Sequence, residues 1–225
     1  MTVAHDLTTD ELADVLATRT DFLHYIGHVD SDGFACADGR LDAREVDSVG
    51  VDAFLLNACQ SYRQGMALIE AGAIGGIVTI SDILNSEGVK MGRALARLLN
   101  AGFPLGSALE IARGESIMGD EYLVVGDGRL AITQAAHLQP NLCAIERIDG
   151  AFEVTYKTFL TSRAGIGTAV RPEIGDNTSH YISSGDVHSF DLSEEELAEF
   201  LSLENIPVTV QGKLDWSRRI DVGSV

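Results

Sequence analysis

Apolar and polar positions along the chain change period several times, and each change predicts an element. Thr8-Thr9-Asp10-Glu11 is a capping-box pattern, and Leu12, Val15 and Leu16 behind it share one face of a short helix. The run Asp21-Phe22-Leu23-His24-Tyr25-Ile26-Gly27-His28 reads as a buried strand. A polar loop rich in Asp and Gly is expected from Asp30 to Asp47. A second strand, Val51 to Cys59, leads directly into a helical stripe of Tyr62, Met66 and Ile69. Ala71-Gly72-Ala73 stops that helix, and Gly76-Ile77-Val78-Thr79-Ile80 is a third strand.

Two more helices are expected. Val89, Gly92, Ala96 and Leu99 are expected to mark the buried stripe of the first. Pro104 opens the second, Leu105, Ala108, Leu109 and Ala112 line it, and Gly114 lies beyond its end. Tyr122-Leu123-Val124-Val125 is a fourth strand closed by Gly126-Asp127-Gly128. Strands alternating with helices imply crossover connections and a mostly parallel sheet, hence an α/β fold. From about His137 the texture becomes short β-like pieces and turns, with one capped helix opened by Ser193 and Glu196. The expected division is 1–136 for the α/β domain and 137–225 for a small, mainly β appendage.

Composition narrows the function classes. The chain has 225 residues and 45% hydrophobic content, enough for one sizeable core. No apolar run approaches the roughly 20 residues of a membrane helix, and Met1-Thr2-Val3-Ala4-His5-Asp6 has no signal-peptide pattern. A cytoplasmic location without membrane contact is therefore expected. The formal net charge is −18, and Lys90, Lys157 and Lys213 are the only lysines. Such a surface repels phosphate backbones, so nucleic acid is not an expected partner. It also suits high salt, where its self-repulsion is screened; a melting temperature that rises in molar KCl would bear out a halophilic origin.

The candidate chemistry lies at the ends of two strands. Cys36, Cys59 and Cys143 form no C-x-x-C pair, so no metal site or disulfide framework is expected, and nothing calls for a cofactor. Cys59 stands just ahead of a helix, whose amino terminus favours a thiolate. If the first two strands are neighbours, His28 meets Cys59 at one rim of the sheet and supplies the base of a nucleophilic dyad. Backbone N–H groups around Cys59 and after His28 would hold an oxyanion. His24, inside its strand, reads as a structural histidine, and Cys143 reads as core. Gly72-Ala73-Ile74-Gly75-Gly76 precedes a strand, so it fails as a dinucleotide motif. Lys90, Arg93 and Arg97 read as a solvated helix face.

Taken in order, these pieces resemble the CHAT domains, caspase-like cysteine peptidase modules distantly related to separase and gingipain. Leu23-His24-Tyr25-Ile26-Gly27-His28 resembles the strand ending in Gly-His, and Leu55-Leu56-Asn57-Ala58-Cys59-Gln60-Ser61 resembles the nucleophile segment. Ala71-Gly72-Ala73 with Gly76-Ile77-Val78 and Asp82 is similar to the next helix–strand step. Gly102 to Arg113 and Tyr122-Leu123-Val124-Val125-Gly126-Asp127 resemble its later helix and closing strand. The resemblance covers about residues 15–133. It implies a caspase-like three-layer sandwich with a mostly parallel sheet. In roles, it makes His28 the general base and Cys59 the nucleophile, with the Val29 and Cys59 N–H groups as oxyanion hole.

Two positions depart from that family. Val29 stands where a glycine usually follows the histidine. Residues 1–20 offer a helix where about two strands usually precede the histidine strand, so the expected domain lacks the first strands and is incomplete at its N-terminal side. A partner chain completing that sheet edge is one expectation. The expected function is a cysteine endopeptidase acting on a protein or peptide substrate. The alternative is a catalytically silent caspase-like binding or scaffolding module.

Overall fold

Thr8 caps the first helix in both directions: its hydroxyl accepts the Glu11 N–H, and the Glu11 carboxylate accepts the Thr8 N–H at 2.9 Å. In this computed structural model, which describes residues 2–135, 139–148, 150–161, 167–182 and 185–225, the helix α1 runs Thr9–Ala17 and buries Leu12 and Leu16. His137 and the boundary expected at 136/137 lie outside the described residues. Strand β1 (Thr20–Ile26) follows. The expected polar loop is instead a small antiparallel sheet of β2 (Val29–Asp30), β3 (Gly33–Ala35) and β4 (Arg40–Leu41). Its apolar residues Val29, Phe34 and Leu41 are all buried, but they stand too far apart among Asp and Gly to give a strand period. Gly33 makes the tight turn at φ +128°, where a Cβ would meet the Leu41 carbonyl oxygen at 2.2 Å.

The chain then builds β5 (Val51–Asn57), α2 (Tyr62–Glu70), β6 (Gly75–Thr79), α3 (Asn85–Asn100), α4 (Leu105–Ala112) and β7 (Tyr122–Gly126). The sheet order is β1-β5-β6-β7. The first three strands are parallel, and β7 is antiparallel to β6. Two 3-10 turns, Arg113–Glu115 and Gly119–Glu121, carry the chain from α4 to the rim where β6 ends, so β7 enters there and runs back.

Alternation along β5 and β6 sends side chains to two helical layers. Phe54, Leu56 and Val78 pack with Leu12, Leu16, Phe34 and Leu68, under α1, α2 and the small sheet. Leu55 and Ile77 pack with Met91, Leu95, Leu105 and Leu109 of α3 and α4. All of these are buried, each contributing about 1.5–3 kcal/mol on leaving water. The architecture is a three-layer α/β sandwich.

β1 is one of the two outer strands, β7 the other; the β1 edge lies on the side of the expected missing strands. The outer side of β1 pairs with no other strand among the described residues, and no residue of β1 is fully buried.

The remaining strands are β8 (Asn141–Ile148), β9 (Ala151–Thr158), β10 (Ala169–Val170), β11 (Tyr181–Ile182), β12 (Gly185–Leu192), β13 (Pro207–Val210) and β14 (Lys213–Trp216). β10 pairs with β11, and the others form a sheet in the order β12-β9-β8-β13-β14. Helix α5 (Glu194–Leu203), capped reciprocally by Ser193 and Glu196, packs Leu197, Phe200 and Leu201 onto its Cys143, Val154 and Val208. Phe159 and Trp216 join the cluster beneath α3 and α4. Arg97 lies 3.3 Å over the Trp216 ring, and the Leu214 N–H donates to the Glu115 carboxylate at 2.8 Å.

Candidate active site

β1 and β5 run side by side with Ile26 level with Asn57. Parallel neighbours lie about 4.8 Å apart, so His28 and Cys59, each two residues further on, leave the sheet at the same rim. Along β5 itself, alternation also fixes the face. Leu55 packs against α3, and the Asn57 side chain donates to the Gly88 carbonyl of α3 at 2.8 Å. Cys59 lies beyond the end of β5, in the turn where strand alternation no longer applies.

Cys59 is half-buried in the turn before α2. Its sulfur accepts the Ile83 N–H at 3.3 Å and lies 3.8 Å from the Ile83 carbonyl oxygen. Two hydrogen bonds pin the loop that brings Ile83 there. The Gln60 N–H donates to the Ser81 carbonyl at 3.0 Å, and the Gln60 amide donates to the Asp82 carboxylate at 3.1 Å. Gln60 itself is held at φ +48°, a left-handed conformation costing a non-glycine residue about 1–2 kcal/mol. Ser61 begins α2 without capping it. Its hydroxyl instead donates to the Leu56 carbonyl at 3.1 Å and meets the Thr79 hydroxyl. The first N–H groups of α2 thus have no Ser61 side chain to compensate their positive end beside the Cys59 turn.

Tyr122 and Asn57 form a polar support below the sulfur that the sequence reading missed. The Tyr122 hydroxyl donates to the Asn57 carbonyl oxygen at 2.8 Å. Burial, and then negative charge at Cys59 and Glu87, push the Tyr122 pKa up to about 12, so it stays a donor. The one sequence signal was an amide in an otherwise apolar strand end. Its partner stands far along the chain.

His28 is exposed, and its carbonyl accepts the Ala35 N–H at 2.9 Å and the Tyr25 hydroxyl at 3.0 Å. Val29 is buried opposite Phe34. Because the neighbouring His28–Ala35 pair carries the hydrogen bond, the Val29 N–H points away from β3. Positive φ occurs outside glycine only at Asp6, Gln60 and Gln211 among the described residues, so position 29 makes no demand that glycine alone could meet.

Other candidates separate from this rim. His24 is half-buried against α3, which lowers its pKa, and its Nε2 has no hydrogen-bond partner. Burial pushes the Cys36 and Cys143 thiols up, keeping both protonated. Asp30 is paired with Arg40 at 2.8 Å, and Asp38 accepts the Thr9 N–H at 2.8 Å. In the basic helix stripe, Lys90 is paired with Glu87 at 2.8 Å and Arg97 covers Trp216. Among the described residues, no three His, Cys, Asp or Glu side chains gather as metal ligands, and no helix is long and apolar enough to cross a membrane.

No family model matches the sequence, and no curated protein matches it. Solved structures do. The Arg-specific cysteine proteinase gingipain R (RgpB) superposes with a TM-score of 0.50 at 14% identity, over 84% of this chain and 50% of that one. The fold is caspase-like. A complex of the pro- and mature domains of RgpB from Porphyromonas gingivalis aligns at a TM-score of 0.48 and 14% identity, covering 84% of this chain and 51% of that one. The chain thus spans about half the length of these proteinases. In the caspase-like sheet of this chain, β1 and β7 are the edge strands, and β7 is the antiparallel one.

Proposed function

We propose that this chain carries the catalytic centre of a CHAT-type, caspase-like cysteine endopeptidase with Cys59 as nucleophile and His28 as general base. The observation that supports it best is the register of β1 with β5, which takes His28 and Cys59 to one rim of a caspase-like sheet. The Cys59 thiolate attacks the scissile carbonyl carbon while His28 holds the thiol proton. The oxygen then carries the negative charge and accepts the N–H groups of Val29 and Cys59. Collapse breaks the C–N bond, His28 gives its proton to the leaving amine, and an acyl-enzyme remains. A water, deprotonated by His28, adds to that thioester, and the thiolate departs. The Ile83 N–H donates to the Cys59 sulfur, and the first turn of α2 beside it has no side-chain cap.

The pH dependence of iodoacetamide labelling at each cysteine, read by peptide mass spectrometry in high salt, tests this. Cys59 should label fast below pH 7, and His28→Ala should slow it at least about tenfold at that pH. A Cys59 that reacts as slowly in both proteins as an ordinary thiol would overturn the reading. The unpaired outer side of β1 favours a second reading, a silent scaffold on which a partner chain adds a strand. Its expected labelling result is an inert Cys59.

A further inference from the structure

Several large apolar side chains exposed to solvent lie on segments that border the Cys59 turn. Ile26 is 72% exposed, Leu84 60%, Val89 59% and Ile117 89%, each on a segment tied to the Cys59 turn or to Asn57. Leu84 follows Ile83, whose N–H touches the sulfur. The Leu84 N–H reaches the Met118 sulfur at 3.5 Å, which brings Ile117 beside it. Ile26 is level with Asn57 across the β1–β5 ladder, and Val89 follows Gly88, which accepts the Asn57 amide. An apolar rim left open around a reactive atom marks a surface that is covered during function.

Several charged groups near the Cys59 turn are engaged in pairs. Asp82 holds Gln60, and Asp30 is paired with Arg40. Glu87 is shared by Lys90 and Ser116, which also occupies the Lys90 ammonium. The net charge of −18 acts on a substrate at long range.

We infer that the substrate residue preceding the scissile bond is apolar, and that Leu84 and Ile117 provide its contact surface. The inference rests on the peptidase reading and names the substrate class of the same site. Three peptidyl acyloxymethyl ketones test it, identical except for Leu, Arg or Asp next to the reactive ketone. In each, the Cys59 thiolate forms a C–S bond to the methylene carbon as the C–O bond breaks and the carboxylate leaves. A ketone lacking the peptide serves as the control.

The Leu probe should label Cys59 about tenfold or more faster than the Arg and Asp probes. Ile117→Ser, at a position almost wholly in solvent, should slow the Leu probe several-fold at an unchanged melting temperature. An Arg or Asp probe as fast as the Leu probe overturns the inference and leaves the peptidase reading standing. If no peptide probe outpaces the bare ketone, the peptidase reading itself fails, and the inference with it.

Discussion

The ring of His24 sits between β1 and α3 with its Nε2 buried and unbonded. A protonated imidazole there would bring a charge away from water with no acceptor to receive it, which is why burial depresses the pKa. The sign follows from linkage: as pH falls below the ordinary value near 6.5, the unfolded chain takes up this proton before the folded one does. Stability is therefore full above about pH 6.5 and declines as the pH drops toward the depressed folded value. Urea midpoints measured at about pH 8 and about pH 5.5 should differ in the native chain and differ less in His24→Leu. Equal differences in the two proteins would show that other groups carry the acid sensitivity. At this scale the sequence was legible where a residue ends an apolar run, as His28 and Cys59 do. It was silent where function depends on contact between distant residues. Nothing near Tyr122 announces that its hydroxyl meets Asn57, and nothing near Ile83 announces that its N–H meets Cys59.

Helix α3 lies close to the sheet because Gly88 and Gly92 face it. A Cβ at Gly92 would stand 2.9 Å from the Asn57 amide nitrogen and 3.5 Å from the His24 ring. That close approach lets one amide bind three elements, since Asn57 of β5 donates to α3 and accepts from β7. Tyr122→Phe keeps the ring packing and strands the Asn57 carbonyl oxygen, a loss of about 1–3 kcal/mol. For a chain of this size the melting temperature should fall about 2–4 °C for each kcal/mol, and calorimetry on the variant measures it. An unchanged melting temperature would mean that water satisfies the Asn57 oxygen in place of the phenol. The stripe of α4 was readable, since Leu105, Ala108, Leu109 and Ala112 are all buried, and β5 showed itself as one unbroken apolar run. On α3 the expected stripe was out of phase, because Val89 and Ala96 are exposed while Met91, Leu95 and Leu98 face the core. The small sheet β2–β4 was not readable, because single apolar residues such as Phe34 and Leu41 anchor strands only two or three residues long. The antiparallel sense of β7 was hidden too, since it depends on where the 3-10 turns after α4 deliver the chain.

Trp216 is the chain's one tryptophan, and it stands where the β8–β14 sheet meets the α3–α4 layer. Its ring is buried under Arg97, while Phe159 packs edge-on against Phe103 at 5.1 Å and Lys157 pairs with Glu110 at 3.3 Å. Residues from both sides of the expected 136/137 boundary thus fill one apolar cluster. Separating the two parts would expose that cluster, so neither can lose its structure without cost to the other. Fluorescence of Trp216 should follow the same urea transition as far-UV circular dichroism, in the manner of one cooperative unit. Phe159→Ala removes about 3–5 kcal/mol from the shared cluster and should lower both midpoints together. If the dichroism instead shows a transition that the tryptophan does not report, the parts unfold separately and the junction is a contact between independent domains. The distinction bears on the proposed active site, because α3 is held on one side by the Cys59 rim through Gly88 and on the other by Trp216 through Arg97. A cooperative junction makes the β-rich part a brace for the helix that, with the loop before it, shapes the proposed substrate rim.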